Sequence, residues 1–349
     1  MLEPRYGIWV PIHGNWGPHD HPDDPADASY ARTKSLVTEA EKIGFTTTLV
    51  AQHLINPRNQ DFDELETWTA SAALAEATDR IEIIAAIKPF LFHPAVLAKM
   101  TLGIDAISSG RFAINLVSAW FRPELEKTGI GFLPHDERYQ YSGEWLRIVK
   151  ALLSGDRVSF QGQYFQIRDL SFRPKAIVPP FPRIYLGGES EPARNLAAQL
   201  ADVFFINGRP IKEVQNMIAD VSSRPRLLPD PLRFALSAFV IARPTVAEAQ
   251  EEFDYLMTLQ KQTDISQLRA GIDPQVEMFK TSAKYQAVGT NGGTAAGLVG
   301  NYDMVAARIA EFVESGIEMF MLQFLPIAPE FHRFAAEIMP RVRRLQRVA

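Results

Sequence analysis

Eight short apolar runs, each followed by a helix-like stretch, constrain this chain more than any other feature. The runs are Tyr6–Pro11, Thr46–Ala51, Ile81–Ile87, Phe112–Val117, Arg183–Leu186, Val203–Ile206, Phe234–Ala242 and Met319–Phe324. Between them the helical period returns near 30–43, 64–78, 94–108, 138–153, 190–200, 211–222, 246–260 and 302–315, with a last helix at 329–346. Alternating strand and helix implies parallel strands joined by right-handed crossovers. Eight such units predict an α/β fold of the (β/α)8 TIM-barrel type, forming a single domain over 1–349. An open doubly wound sheet is the rival. It is disfavoured because no Gly-x-Gly-x-x-Gly follows the first strand.

Composition narrows the class further. Hydrophobic residues make up 46% of the 349, enough for a large core. The net charge of −5, with no long run of one sign, argues against nucleic acid or an anionic membrane surface as partner. Without cysteine the chain has no disulfide, thiolate metal site or cysteine nucleophile. "MLEPRYGIWVP" lacks the apolar core and cleavage site of a signal peptide. No apolar stretch approaches the roughly 18 residues of a membrane span. A soluble, cytoplasmic protein is expected.

Two insertions interrupt the alternation. "RVSFQGQYFQIRDLSFRP" (157–174) alternates like a hairpin turning at Gln161-Gly162. The stretch 261–297 is long, polar and glycine-rich towards its end. Placed before the eighth strand, it is expected to be a mobile lid at the C-terminal face.

In such barrels chemistry gathers where strands end. Those positions carry His13, Gln52-His53, Lys88, Asn115 with Ser118 and Trp120, Gly187-Gly188 with Ser190, Arg209 and Gln323. "YLGGESEPARNLAAQLAD" reads either as a phosphate site at a helix N-terminus or as a tight turn capped by Ser190. Arg138-Tyr139 suits a second phosphate contact, or else is a solvated helix start. His13 is a candidate proton donor or acceptor, or a loop histidine without that role. Trp120 lines an apolar pocket or covers the rim. His19 and His21 sit among prolines and aspartates at irregular spacing, so no metal site is expected. His93 reads as a helix-starting residue.

Taken together, "GRFAINLVSAW", "HDERY" and "GGESEPA", with "WVPIHG", "AEKIGFTTTLVAQH", "FQGQYFQI" and "SAFVIAR", make the chain resemble the bacterial-luciferase-like, reduced-flavin-dependent monooxygenases of two-component systems. Within them it is similar to the branch acting on sulfones, sulfonates and pyrimidines. The resemblance runs almost end to end. It implies oxygen activation by FMN, delivered as FMNH2 by a separate NAD(P)H-dependent FMN reductase, with O2 and a small molecule as co-substrates. It also implies a homodimer or homotetramer.

By the same resemblance, Gln52, His53 and Asn115 lie against the flavin ring. Glu124, Arg138 and Tyr139 close over its chain and phosphate, and Gly188 and Ser190 hold the phosphate. His13, Trp120, Arg209 and His332 fall to the catalytic side. Sulfonate enzymes place cationic donors on strand seven where this chain has Ser237 and Phe239, a tyrosine where it has Leu325, and a lid arginine where it has Asn291. Unless Arg209 or His332 compensates, a sulfonate is poorly paired here. C–S cleavage of a sulfone for sulfur assimilation is therefore favoured, with sulfonates kept open. Alternatives are oxygenation of a heterocyclic or halogenated aromatic, a deazaflavin oxidoreductase, and a non-catalytic flavin-binding protein.

Overall fold

The computed structural model describes residues 3–15, 21–178 and 182–348. Its strands are β1 (Arg5–Trp9), β2 (Thr47–Val50), β3 (Glu82–Ile87), β4 (Phe112–Leu116), β5 (Arg183–Gly187), β6 (Val203–Ile206), β7 (Arg233–Phe239) and β8 (Ile317–Gln323). They close in sequence order into a barrel, every neighbouring pair parallel. Closure comes from β1 lying between β8 and β2, with Gly7 opposite both Met321 and Thr47. The principal helices are α1 (Tyr30–Lys42), α2 (Thr67–Ala77), α3 (Pro94–Ile107), α4 (His135–Leu153), α5 (Glu191–Leu200) and α6 (Ile211–Ser222), one after each of β1 to β6. Then come α7 (Val246–Gln262) and α8 (Tyr302–Glu314), both between β7 and β8, while the helix starting at Ile327 follows β8. The fold is the expected (β/α)8 barrel.

Local chemistry explains these boundaries. Strands such as "IIAAI" and "VFFI" are apolar throughout because both faces are buried, inside the barrel and under the helices. Ser29 caps α1 by accepting from Arg32 N, and Thr245 with Glu248 forms a reciprocal capping box at α7. His93 is the N-cap of α3, with Pro94 in its first turn, which accounts for that histidine without a catalytic role. The N-terminal end of the barrel is tied by Glu82, which meets Arg5 at 2.6 Å, Arg183 at 3.2 Å and the Tyr185 hydroxyl at 2.8 Å.

Three expected boundaries shift. Phe234–Ala242 is not one strand. β7 ends at Phe239, and Ile241–Arg243 leaves the barrel to pair with Val299–Asn301. The hairpin pairs Val158–Gln161 with Gln166–Leu170, so its turn falls on Gln163-Tyr164, two residues later than expected. The Glu144 carboxylate of α4 accepts the backbone N–H groups of Gln163 and Tyr164, which sets that position. The final helix is continuous from Ile327 to Val348 but passes through a π-helical turn at Phe334–Ile338.

The segment 261–297 is more regular than its composition suggested. It contains helices Ser266–Gly271 and Glu277–Tyr285 and a 3-10 turn, Gly293–Ala296. It is docked on the C-terminal end of the barrel. Asp273 N donates to Trp120 O at 3.1 Å, and Gly208 N donates to Asn291 O at 2.8 Å. Gln323, the last residue of β8, both accepts from Thr290 N at 3.0 Å and donates to Thr290 O at 2.9 Å.

Gly292 allows that docking. Its φ is +82°, and an added Cβ would lie 2.0 Å from the Gly208 carbonyl oxygen. Gly292→Ala is expected to destabilise the protein by about 2 kcal/mol or more, from left-handed strain plus backbone overlap. Gly297→Ala meets only the strain, its φ being +74° with Arg308 Nε 3.9 Å from the added Cβ. Its loss should be smaller. Denaturant unfolding of the two variants measures the difference.

Candidate active site

A cavity opens at the C-terminal end of the barrel, lined from the ends of β1 to β7 and roofed by residues of 261–297. Its first wall comes from β1 to β3: His13, Gln52, His53 and Lys88. The Lys88 side chain is almost wholly buried and forms an ion pair with Glu124, which is 0% exposed. The Lys88 ammonium also lies 3.2 Å from His53 Nδ1. An ammonium only donates, so Nδ1 accepts, and the neutral ring carries its proton on Nε2.

Burial, and then the adjacent Lys88, pull the His53 imidazole down to about 4. Burial alone would raise the Glu124 carboxyl, but Lys88 and His53 overcome it and hold Glu124 at about 2. Burial draws the Lys88 ammonium below its usual value, with Glu124 opposing. The arrangement is a buried ion pair flanked by a neutral histidine.

The second wall carries Asn115 at the end of β4, followed by Ser118, Ala119 and Trp120. Ala119 has φ +63°, a left-handed conformation uncommon for a residue with a Cβ. The turn it makes aims Trp120 into the cavity, with its ring centre 5.2 Å from that of His53. The Ser118 hydroxyl is anchored on Ser142 of α4 at 3.0 Å.

The far end is formed by Gly188, Ser190, Arg138 and Tyr139. Gly188 has φ +121°, and an added Cβ would lie 3.3 Å from the Tyr139 hydroxyl. The chain here lies closer to α4 than a side chain comfortably allows. Ser190 is the N-cap of α5, yet its hydroxyl makes no capping bond. Burial raises the Tyr139 phenol above its usual value, so it remains a donor.

Several buried polar atoms around the cavity have no hydrogen-bond partner among the described residues: Gln52 Nε2, Asn115 Oδ1, Ser190 Oγ and Arg138 Nε. Buried polar groups are normally paired, so such a set marks where a ligand completes the structure. A donor on β2, an acceptor on β4 and a free hydroxyl at a helix N-terminus suit a flat heteroaromatic ring with a phosphate tail.

The structure therefore brings His13, Gln52, His53, Asn115, Trp120, Arg138, Tyr139, Gly188 and Ser190 to one cavity. Others it does not. Glu124 does not line the cavity. It lies behind the wall, because Lys88 and the Leu54 N–H hold it there. Arg138, although it lines the cavity, lies over the Phe132 ring at 4.2 Å with its charge paired with Asp273 of the insertion. Arg209 faces a side opening, not the main cavity, and forms a buried ion pair with Glu189. His332 is exposed outside the barrel, bonded to Glu39 of α1 at 2.7 Å. Phe239 and Leu325 are buried in an apolar cluster with Val288, whereas Ser237 and Asn291 do line the cavity. His21 is buried and accepts from Asp23 N at 3.1 Å, while His19 lies outside the described residues. Among the described residues no cluster of His, Asp or Glu could hold a metal. No helix among them is long and apolar enough to cross a membrane.

Sequence reasoning noted Lys88 and Glu189 without giving either a role, and passed over Glu64 and Asp273. One signal was available. A lysine ending the run "IEIIAAIK" must be buried and requires a carboxylate partner.

The sequence profile described as Luciferase-like monooxygenase matches residues 5–319. An FMNH(2)-dependent dimethylsulfone monooxygenase of Pseudomonas putida is 30% identical, covering 92% of this chain and 89% of the relative. One from Pseudomonas fluorescens (strain Pf0-1) is 29% identical, covering 98% and 95%. Among solved structures, DmoA from Hyphomicrobium sulfonivorans superposes with TM-score 0.76 at 18% identity, covering 99% of this chain and 89% of that one. The long-chain alkane monooxygenase LadA superposes at 0.78 with 19% identity, covering 99% and 92%.

The Lys88–Glu124 pair can be tested by itself. Lys88→Met leaves a buried carboxylate unpaired and is expected to lower stability by about 3–5 kcal/mol. Adding Glu124→Leu should restore most of that loss. Urea unfolding of the single and double variants decides, and absence of recovery would assign the loss to packing instead.

Proposed function

This chain belongs to the luciferase-like monooxygenase family, and on that premise we propose that it is an FMNH2-dependent monooxygenase of a small organosulfur compound. One observation carries the cofactor assignment: the buried, unpartnered Gln52 Nε2, Asn115 Oδ1 and Ser190 Oγ match a ring with mixed donors and acceptors and a terminal phosphate. Bound reduced FMN supplies the activation of O2. A separate NAD(P)H-dependent reductase supplies the FMNH2, and the enzyme assembles as a homodimer or homotetramer in the cytoplasm.

The chain's own residues bind, orient and exclude water. Gln52 and Asn115 hold the ring from β2 and β4. Ser190, Gly188 and Tyr139 receive the phosphate at the N-terminus of α5. Trp120 packs an apolar face against the reaction space, and the segment 261–297 serves as the lid that keeps water out.

Charge supports a neutral substrate. Lys88, Arg138 and Arg209 each face a buried carboxylate, Glu124, Asp273 and Glu189 respectively. Half-buried Arg58 lies over the Phe62 ring at 4.8 Å. An anion such as a sulfonate would have to compete with those carboxylates, whereas a sulfone needs only hydrogen bonds. For dimethylsulfone the balance is one sulfone, one O2 and one FMNH2 giving a sulfinate, formaldehyde, water and FMN. The C–S bond breaks, and the sulfur enters sulfur assimilation as sulfinate.

The test supplies a flavin reductase, NAD(P)H and FMN, and compares kcat/KM for a small sulfone with that for an alkanesulfonate of similar size. The sulfone should win, with sulfinate and aldehyde formed together. A preference for the sulfonate, or product only from a heterocycle, overturns the substrate assignment.

Ser190→Ala and Tyr139→Phe should each weaken reduced-FMN binding by about 1.5–3 kcal/mol, the worth of a hydrogen bond to a charged group. Anaerobic titration of FMNH2 measures this. Unchanged Kd in both variants would place the phosphate elsewhere.

A further inference from the structure

One carboxylate beside the cavity has no lysine or arginine in contact among the described residues. Glu64, in the loop before α2, lies with Oε1 3.8 Å from His13 Nδ1, and both side chains are 6% exposed. Neither Glu64 oxygen has a hydrogen-bond partner among the described residues. An ionised carboxylate buried in that way is expensive unless a cation or donors meet it. The groups facing it are His13 after β1, Lys88 after β3 and Glu124 of the helix Arg122–Lys127. Lys88 is the one ammonium in the cluster, and it is in contact with Glu124, not Glu64. His53 adds no second cation, since burial and Lys88 keep its imidazole neutral. Two carboxylates share one ammonium, and Glu64 is the one left without it.

We infer that Glu64 is a proton-holding positioning residue of this cavity, a buried carboxylic acid that reloads His13 after His13 has given a proton to the bound reactants. Burial raises the Glu64 carboxyl to about 8, with Lys88 opposing and Glu124 adding to the rise. Below that pH the acid can donate to Nδ1, so the other ring nitrogen of His13 carries the proton that leaves. As that proton leaves, the Glu64 proton moves to Nδ1. The imidazole ends neutral in its other tautomer, Glu64 ends as carboxylate, and solvent returns the proton. No electrons move. The 3.8 Å separation is closed by a side-chain rotation or one bridging water. The identity of the acceptor rests on the oxygenase reading, in which one atom of O2 leaves as water and must be protonated.

The sign of the pH dependence follows from linkage. The folded state keeps a proton on Glu64 between the ordinary carboxyl value near 4.5 and about 8. This contribution to stability is complete below about 4.5 and is lost as pH rises through about 8.

The deciding experiment is an NMR titration of histidine-labelled, flavin-free protein from pH 5 to 9.5. In the wild type the His13 resonances should show an inflection near pH 8. Glu64→Gln should abolish it, and Glu64→Asp should retain one. Identical His13 curves in wild type and Glu64→Gln overturn the inference. Should Glu64→Gln fail to fold, infrared spectroscopy of the unaltered protein decides. A protonated-carboxyl band that disappears with a midpoint near pH 8 supports the assignment, and no such band at pH 7 refutes it. In the oxygenase assay, wild-type kcat/KM should fall about tenfold per pH unit above pH 8, whereas Glu64→Gln should be lower and flat across that range. Inactivity toward every substrate offered bears on the oxygenase reading alone, because the NMR result needs neither flavin nor substrate.

Discussion

Closure of the barrel is the constraint on which the rest depends. Once Gly7 of β1 lies opposite both Met321 and Thr47, no strand edge remains, and all eight strands run in one direction. Their C-terminal ends then form one ring. Residues as far apart in sequence as His13, Asn115, Gly188 and Ser237 become neighbours around a single cavity. The opposite end is closed by the Arg5, Glu82, Arg183 and Tyr185 network, so binding and anchoring are kept apart at the two ends.

On that ring the electrostatics follow from a shortage of solvent. Three cations near the first wall, far end and side opening each take a carboxylate supplied from a different element. Lys88 takes Glu124 from the helix after β4, Arg138 takes Asp273 from the insertion, and Arg209 takes Glu189 from the β5 turn. These pairs hold the segments to the barrel and leave the cavity with little free positive charge. Glu64 lies beside His13, and on the inference drawn above these are the groups through which protons are handled.

Much of this was legible in the chain. The eight apolar runs matched the eight strands to within one or two residues, except where β7 stopped short at Phe239. Nine of the twelve residues singled out for the site line the cavity. The three exceptions share a cause. Glu124 was expected to close over the flavin's chain and phosphate, but its carboxylate is paired with buried Lys88. Arg209 stands at a strand end but turns aside to Glu189, and His332 faces outward to Glu39. Position along a chain says which end of the barrel a residue reaches, not where its side chain turns.

By itself the sequence determined the barrel, the face that carries the chemistry and the residue types available there, because period, burial and glycine placement are local properties. Only the tertiary structure decided which charge neutralises which. Ion pairing in a dry interior depends on separations of a few ångströms between groups as distant in sequence as Arg138 and Asp273. No spacing rule carries that information. The raised Glu64 carboxyl is the clearest case, since it follows from burial first, with Lys88 in contact with Glu124 and only partly opposing the rise.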